Sequence, residues 1–184
     1  FGISTLNEPN QIPPMELWNR ALAAIKKADP AALEWARSVD SQLFKRLTAK
    51  QFLREYCYVV YASGFKAKTI QTIFPNLCSS FHDFELKPLS HMRSLRRPLT
   101  IFRSERKARS FLNGAQAIAE EGWTHFQKRL SFQGVDMLME LPGIGPITKD
   151  HLAKNIGLAD NVKADIWLVR AATLCGKDTP TDLV

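Results

Sequence analysis

Cysteine is scarce in this 184-residue chain: Cys57, Cys78 and Cys175 are widely spaced and odd in number. That fits reduced thiols better than a disulfide framework. No CxxC pair or Cys/His cluster offers a structural zinc site or a four-cysteine iron–sulfur site. Long apolar runs are missing as well. The longest, Cys57 to Phe65, is interrupted and far short of the ~20 residues a bilayer span needs, so no membrane segment is expected. The opening stretch, FGISTLNEPNQIPP, has neither a basic start nor an apolar region, so no secretory signal is read there. It begins on Phe1 rather than Met, as a trimmed chain or part of a longer product would. Alternating strand patterns, internal repeats and low-complexity tracts are also lacking.

What is present is globular: 45% hydrophobic and 23% charged residues, enough to bury a core without staples. Lysine and arginine number 25 against 18 acidic residues, a net charge of +7. Such an excess draws a chain toward polyanions through counterion release, and nucleic acid is the commonest of these.

The periodicity is helical almost throughout, which predicts an all-α fold. Pro13 and Pro14 open a segment with Met15, Trp18, Leu22 and Ile25 on one face, closing at Asp29-Pro30. A second segment runs from Ala31 to about Leu47. A third, Ala49 to Ala62, is apolar on most sides and reads as a central buried helix ending at Ser63-Gly64. Lys66 to Phe74 predicts a short helix stopped by Pro75, and the irregular stretch from Asn76 to Pro98 predicts a hinge or surface connection between lobes. Ser104 is placed to cap a helix carrying Ala108, Phe111, Leu112, Ala115 and Ile118, ended by Gly122. A last helix starts near Asp165 and ends at Gly176.

The segment with chemistry in it is VDMLMELPGIGPITKDHLAKNIG, residues 135–157. Two short helices flank Leu141-Pro142-Gly143-Ile144-Gly145-Pro146. The glycines permit backbone angles closed to other residues and clear side chains from a close approach. Amide N–H groups at the start of the second helix then make an anion site suited to a phosphate, holding a nucleic-acid backbone without reading its sequence. A plain glycine turn between helices is the other reading of the same residues.

Asp165 lies twenty residues beyond Gly145, and Arg170 five beyond Asp165. Leu141-Pro142-Gly143-Ile144-Gly145 with this downstream aspartate resembles the helix-hairpin-helix DNA glycosylases of the endonuclease III superfamily. Phe52 to Phe74 is similar to that family's central helix and following turn, and Phe102 to Arg109 to the helix start after its interlobe connection. The resemblance implies a two-lobed helical fold with an active-site cleft between the lobes. One lobe would take about residues 31–135 plus the hairpin, and the second about 1–30 and 158–184. It implies a monomer acting on double-stranded DNA, in the cytoplasm with the nucleoid of a bacterium or in a eukaryotic nucleus.

Asp165 is then the expected catalytic residue, and the chemistry supports that independently. Breaking an N-glycosidic bond builds positive charge on the deoxyribose, which a nearby carboxylate stabilises while orienting the attacking water. The plainer role is a helix N-cap. Family members that also cut the strand carry a lysine two residues after the second hairpin glycine. Here that position is Ile147, which cannot form a Schiff base. Lys149 is turned roughly 200° away on the helix, while Lys163 lies in a loop that could bring it near. The departure implies a monofunctional glycosylase, favouring alkylated purines. The alternatives are a glycosylase/lyase using Lys149 or Lys163, and a non-catalytic DNA-binding module. The missing cysteines imply no iron–sulfur cluster and no cofactor, although hairpin carbonyls can take a monovalent cation.

His151 sits one helical turn after Ile147, so the two are candidates to line the base pocket, with Trp167, Tyr58 and Tyr61 as further walls. For the aromatic residues, core packing is the competing assignment. Phe65, in the turn before Lys66, has the character of a wedge filling the gap left by an extruded nucleotide, or of a staple between helices. Expected DNA contacts are Pro142, Gly143, Ile144, Gly145, Lys149, Phe65 and Lys66. The basic stretches 93–97 and 103–109, with Lys154, supply a positive surface or a solvated charged face.

Overall fold

The computed structural model describes residues 11–31, 34, 42–159, 166–179 and 182. It is all-α, with no strand among the described residues. No described helix is long and apolar enough to cross a membrane. The chain divides into two compact units, Phe1–Ser38 with Lys163–Val184, and Val39–Val162.

In the first unit, α1 (Pro14–Ala28) starts on a proline, which needs no amide partner at that position. Its expected apolar face exists, but Met15, Trp18 and Ile25 remain exposed and only Leu22 is half-buried. The Ile12 amide donates to the Leu174 carbonyl across 2.9 Å, tying the start of this unit to its last helix. That chain end turns at Gly176, where φ is +65° and the Gln11 side chain occupies the space a Cβ would need.

The second unit opens with α2 (Leu43–Arg46), a four-residue helix of its own entered from a turn at Gln42; most of the helix expected from Ala31 to about Leu47 lies outside the described residues. Then comes α3 (Ala49–Ala62), capped reciprocally: the Gln51 amide donates to Thr48 Oγ1, and the Thr48 amide to Gln51 Oε1. Phe52, Leu53, Tyr56, Cys57, Val59, Val60 and Tyr61 are all buried, which makes α3 the axis of the unit. The remaining helices are α4 (Ala67–Ser80), α5 (Leu86–His91), α6 (Arg96–Ile101), α7 (Glu105–Glu121), α8 (Trp123–Gln133) and α9 (Pro146–Asn155). The helix α10 (Ile166–Leu174) belongs to the first unit. Aromatic contacts knit the core: Phe111 meets Tyr56, Phe81 and Phe84 with ring centroids 5.5, 4.7 and 5.6 Å apart.

Two expectations about residues 66–98 are corrected. Pro75 does not stop α4, which continues to Ser80. Losing the proline amide frees only the Gln71 carbonyl, at a solvent-facing position, while Ile70, Phe74 and Leu77 keep one buried stripe through it. Nor is 76–98 a connection between units. It lies wholly within the second one and buries Phe81, Phe84, Leu89 and Met92. Its irregular pattern comes from a left-handed turn, His82, Asp83 and Phe84 having φ of 53°, 50° and 62°. Each such residue costs about 1–2 kcal/mol, offset here by burying the Phe84 ring.

Ser104 stands at the start of α7, but its side chain makes no capping bond. Gly122 ends that helix at φ +83° as expected.

Candidate functional site: the glycine turn and the face beside it

The turn expected from Leu141 to Gly145 is present, preceded by a 3-10 turn (Val135–Glu140) and followed by α9. Leu141 and Ile144 point inward and are buried, and the Ile144 amide donates to the Leu141 carbonyl at 3.0 Å. Gly143 has φ +86°, and a Cβ there would sit 3.2 Å from Ser110 Cβ and 3.3 Å from Val60 Cγ2. Conformation and space both require glycine. The buried Tyr56 hydroxyl lies 2.6 Å from the Pro142 carbonyl, to which it donates, so the central helix pins the turn directly. Tyr56 reaches it only because Gly114 has no side chain: a Cβ at 114 would fall 2.3 Å from the tyrosine oxygen.

The amides of the turn divide into two sets. The Gly145 amide donates to Thr148 Oγ1 at 2.7 Å. Gly143, Ile147 and Thr148 amides have no acceptor among the described residues. A phosphate at this turn would find amides without an acceptor at Gly143 and in the first turn of α9. The Ile144 side chain is a core anchor and makes no surface contact. The carbonyls of Leu141, Pro142 and Gly145 accept hydrogen bonds from Ile144, Tyr56 and Lys149, and the first two each keep a second lone pair.

Lys149, expected at the DNA, is ion-paired with Asp136 of the 3-10 turn. The hydrogen bond it donates to Asp136 raises its pKa, the reverse of what a Schiff-base lysine needs.

On α9, Ile147 is 52% exposed, His151 half-buried and Asn155 6% exposed, a stripe that deepens turn by turn. His151 lies edge-on to Tyr58 of α3, centroids 6.2 Å apart and planes at 81°. Tyr58 in turn packs edge-on against Phe74 at 5.3 Å. So the structure brings Ile147, His151 and Tyr58 together. Tyr61 is placed elsewhere: with no exposed surface, packed on Phe102 and Phe81, it is a core residue and lines no pocket.

Two residues on this face were missed in the sequence. Asn155 Nδ2 donates to Glu55 Oε2 at 3.0 Å, and Arg54 lies 3.6 Å from Glu55 Oε1. Burial pushes the Glu55 carboxyl up, while Arg54 and the Asn155 amide draw it back. The signal was available: Asn155 is one further turn along the stripe through Ile147 and His151, and Glu55 is one turn before Tyr58.

At the other end of α3, Lys107 is buried and donates to the carbonyls of Val60 at 2.6 Å and Ser63 at 2.8 Å. It is a cap for the helix and drops out of the basic surface. Its ammonium also lies 5.4 Å from the Phe65 ring centre, and Phe65 stands edge-on to Phe102 at 5.0 Å. Phe65 is thus held on one side and 49% exposed on the other. Lys66, Arg96, Arg97, Arg103, Arg106 and Lys154 are exposed. Arg109 pairs with Glu105, and Arg93 donates to the carbonyls of Ser90 and Met92.

Asp165, Lys163 and the Trp167 side chain lie outside the described residues, and Arg170 is exposed on α10. Compared with protein-family models, curated proteins and solved structures, the chain finds no match in any of the three.

Proposed function

We propose that the chain is a monofunctional DNA glycosylase acting on a base flipped from double-stranded DNA. The observation that carries this reading is the Pro142–Gly143 tip. It is exposed, fixed from beneath by Leu141, Ile144 and Tyr56, and followed by two amides with no acceptor among the described residues. A rigid tip whose Gly143 carries no side chain, followed by N–H groups that have no acceptor among the described residues, suits a phosphate backbone. Sequence adds Asp165 at the spacing of the glycosylase family.

In this mechanism the extruded base rests against Ile147, His151 and Tyr58. Extrusion costs a few kcal/mol, least for damaged or mispaired bases. The C1′–N bond then breaks with its electron pair leaving on the base, and positive charge gathers on the sugar. Asp165 stabilises that charge and takes a proton from the water that attacks C1′, leaving an abasic site. An N-alkylated purine is already cationic and departs neutral without an acid, which makes it the favoured substrate. Ile147 in the lysine position and the Lys149–Asp136 pair both oppose a covalent lyase step.

The test is base release from duplexes carrying alkylated, deaminated and oxidised bases, for wild type and Asp165→Asn. Strand breaks that appear only after hot alkali, and are lost in the variant, are the expected result. Breaks before alkali with a borohydride-trapped adduct would instead establish a lyase. Salt-sensitive binding without release from any duplex would leave a binding module.

A further inference from the structure

Glu55, Tyr58, His151 and Asn155 form a two-by-two ladder. Glu55 and Tyr58 are one turn apart on α3, and face Asn155 and His151, one turn apart on α9. Exposure falls from Ile147 through His151 to Asn155, so Glu55 stands at the closed end of a face that opens beside the glycine turn. Its side chain keeps 20% of its surface open. Oε2 is occupied by the Asn155 amide, while Oε1 has the Arg54 guanidinium at 3.6 Å. Arg54 is mostly in solvent, its cation lying 5.7 Å from the Phe74 ring centre.

A carboxylate so placed is under-compensated: one neutral amide and one solvated cation do not replace the water it has lost. Tyr58 and His151 offer ring surfaces next to it. Flat aromatic walls ending in a carboxylate acceptor complement a flat ring that carries N–H donors and positive charge.

We propose, resting on the glycosylase reading above, that Glu55, held by Asn155, is a specificity-determining residue that selects cationic N-alkylated purines over neutral bases. It accepts a hydrogen bond from the purine's N–H edge and balances the ring's charge while the C1′–N bond is intact. Asn155 fixes the carboxylate plane, and Tyr58 and His151 fix the ring against it.

The experiment is single-turnover base release from one duplex carrying 7-methylguanine and from the same duplex carrying hypoxanthine. Glu55→Gln keeps shape and the bond from Asn155 but removes the charge. It is expected to lower the preference for 7-methylguanine by about tenfold, with hypoxanthine release changed little. Arg54→Gln removes the competing cation at a mostly exposed position. It is expected to raise the same preference about two- to fivefold, and decides the matter if Glu55→Gln fails to fold. Preference unmoved in the folded variants, or wild type favouring hypoxanthine, overturns the role of Glu55 and leaves the glycosylase reading intact. No release from either duplex, when a wider panel is cleaved, overturns the Glu55 role alone. No release from any duplex overturns both.

Discussion

Tyr56 and Tyr61 lie on the same helix, equally buried, and do opposite things with their hydroxyls. Tyr56 donates to the Pro142 carbonyl and pins the glycine turn. The Tyr61 hydroxyl is buried with no hydrogen-bond partner among the described residues. Removing one member of a buried pair strands the other, whereas removing an orphan strands nothing. Tyr56→Phe is therefore expected to cost about 1–2 kcal/mol in urea unfolding and to weaken DNA binding. Tyr61→Phe is expected to be neutral, or stabilising by up to about 1 kcal/mol. Equal losses in both variants would show that ring packing, not the hydroxyl, sets their roles.

Among elements, the approach to the glycine turn depends on Arg129 of α8. Its guanidinium grips both Glu121 oxygens at the end of α7, at 2.8 and 2.9 Å, and Glu140 at 2.6 Å just before Leu141. Hydrogen bonding from Arg129 holds the Glu121 carboxyl below its ordinary value of 4.5. Its depressed pKa fixes the sign. The contribution is fully present above the ordinary carboxylate range and is lost as pH falls through the lowered value. Arg129→Gln is expected to cost roughly 1 kcal/mol at pH 7, the gap closing as the medium is acidified below that range. Thermal melts at pH 7 and in strong acid check this; a gap that does not shrink would assign the loss to packing on Phe126, whose ring centre lies 5.8 Å from the guanidinium.

For the whole molecule, the net charge of +7 acts through the arginines and lysines left at the surface. Lys107 is spent on a helix end, and Lys149 and Arg109 on acidic partners. If four exposed cations neutralise phosphates, the logarithm of the DNA affinity should fall against the logarithm of salt with a slope of roughly −3.6. A titration showing no salt dependence would remove DNA as the partner.

Helix type, the central position of α3 and the existence of the glycine turn were legible in the sequence, because each depends on local period or on a residue with unique backbone freedom. Phe52, Tyr56 and Val60 repeat at helical spacing, and Gly143 at φ +86° holds a conformation that side chains rarely adopt. Continuation of α4 through Pro75 was not legible, since it depends on the freed carbonyl facing solvent while Phe74 and Leu77 stay buried. Nor was the bond from the Gly145 amide to the Thr148 hydroxyl. Side-chain partnership over long separations was the largest gap. Asn155 and Glu55 are a hundred residues apart, as the Lys107 and Val60 pair is forty-seven, and no local pattern couples them. Periodicity and glycine chemistry act within a turn or two of chain, so sequence alone determined the helical class, the central helix and the glycine turn, while the helices at Leu86–His91, Arg96–Ile101 and Trp123–Gln133 were not read from it. Which polar groups meet depends on how those elements pack, and only the tertiary structure decided that Glu55 stands against Asn155.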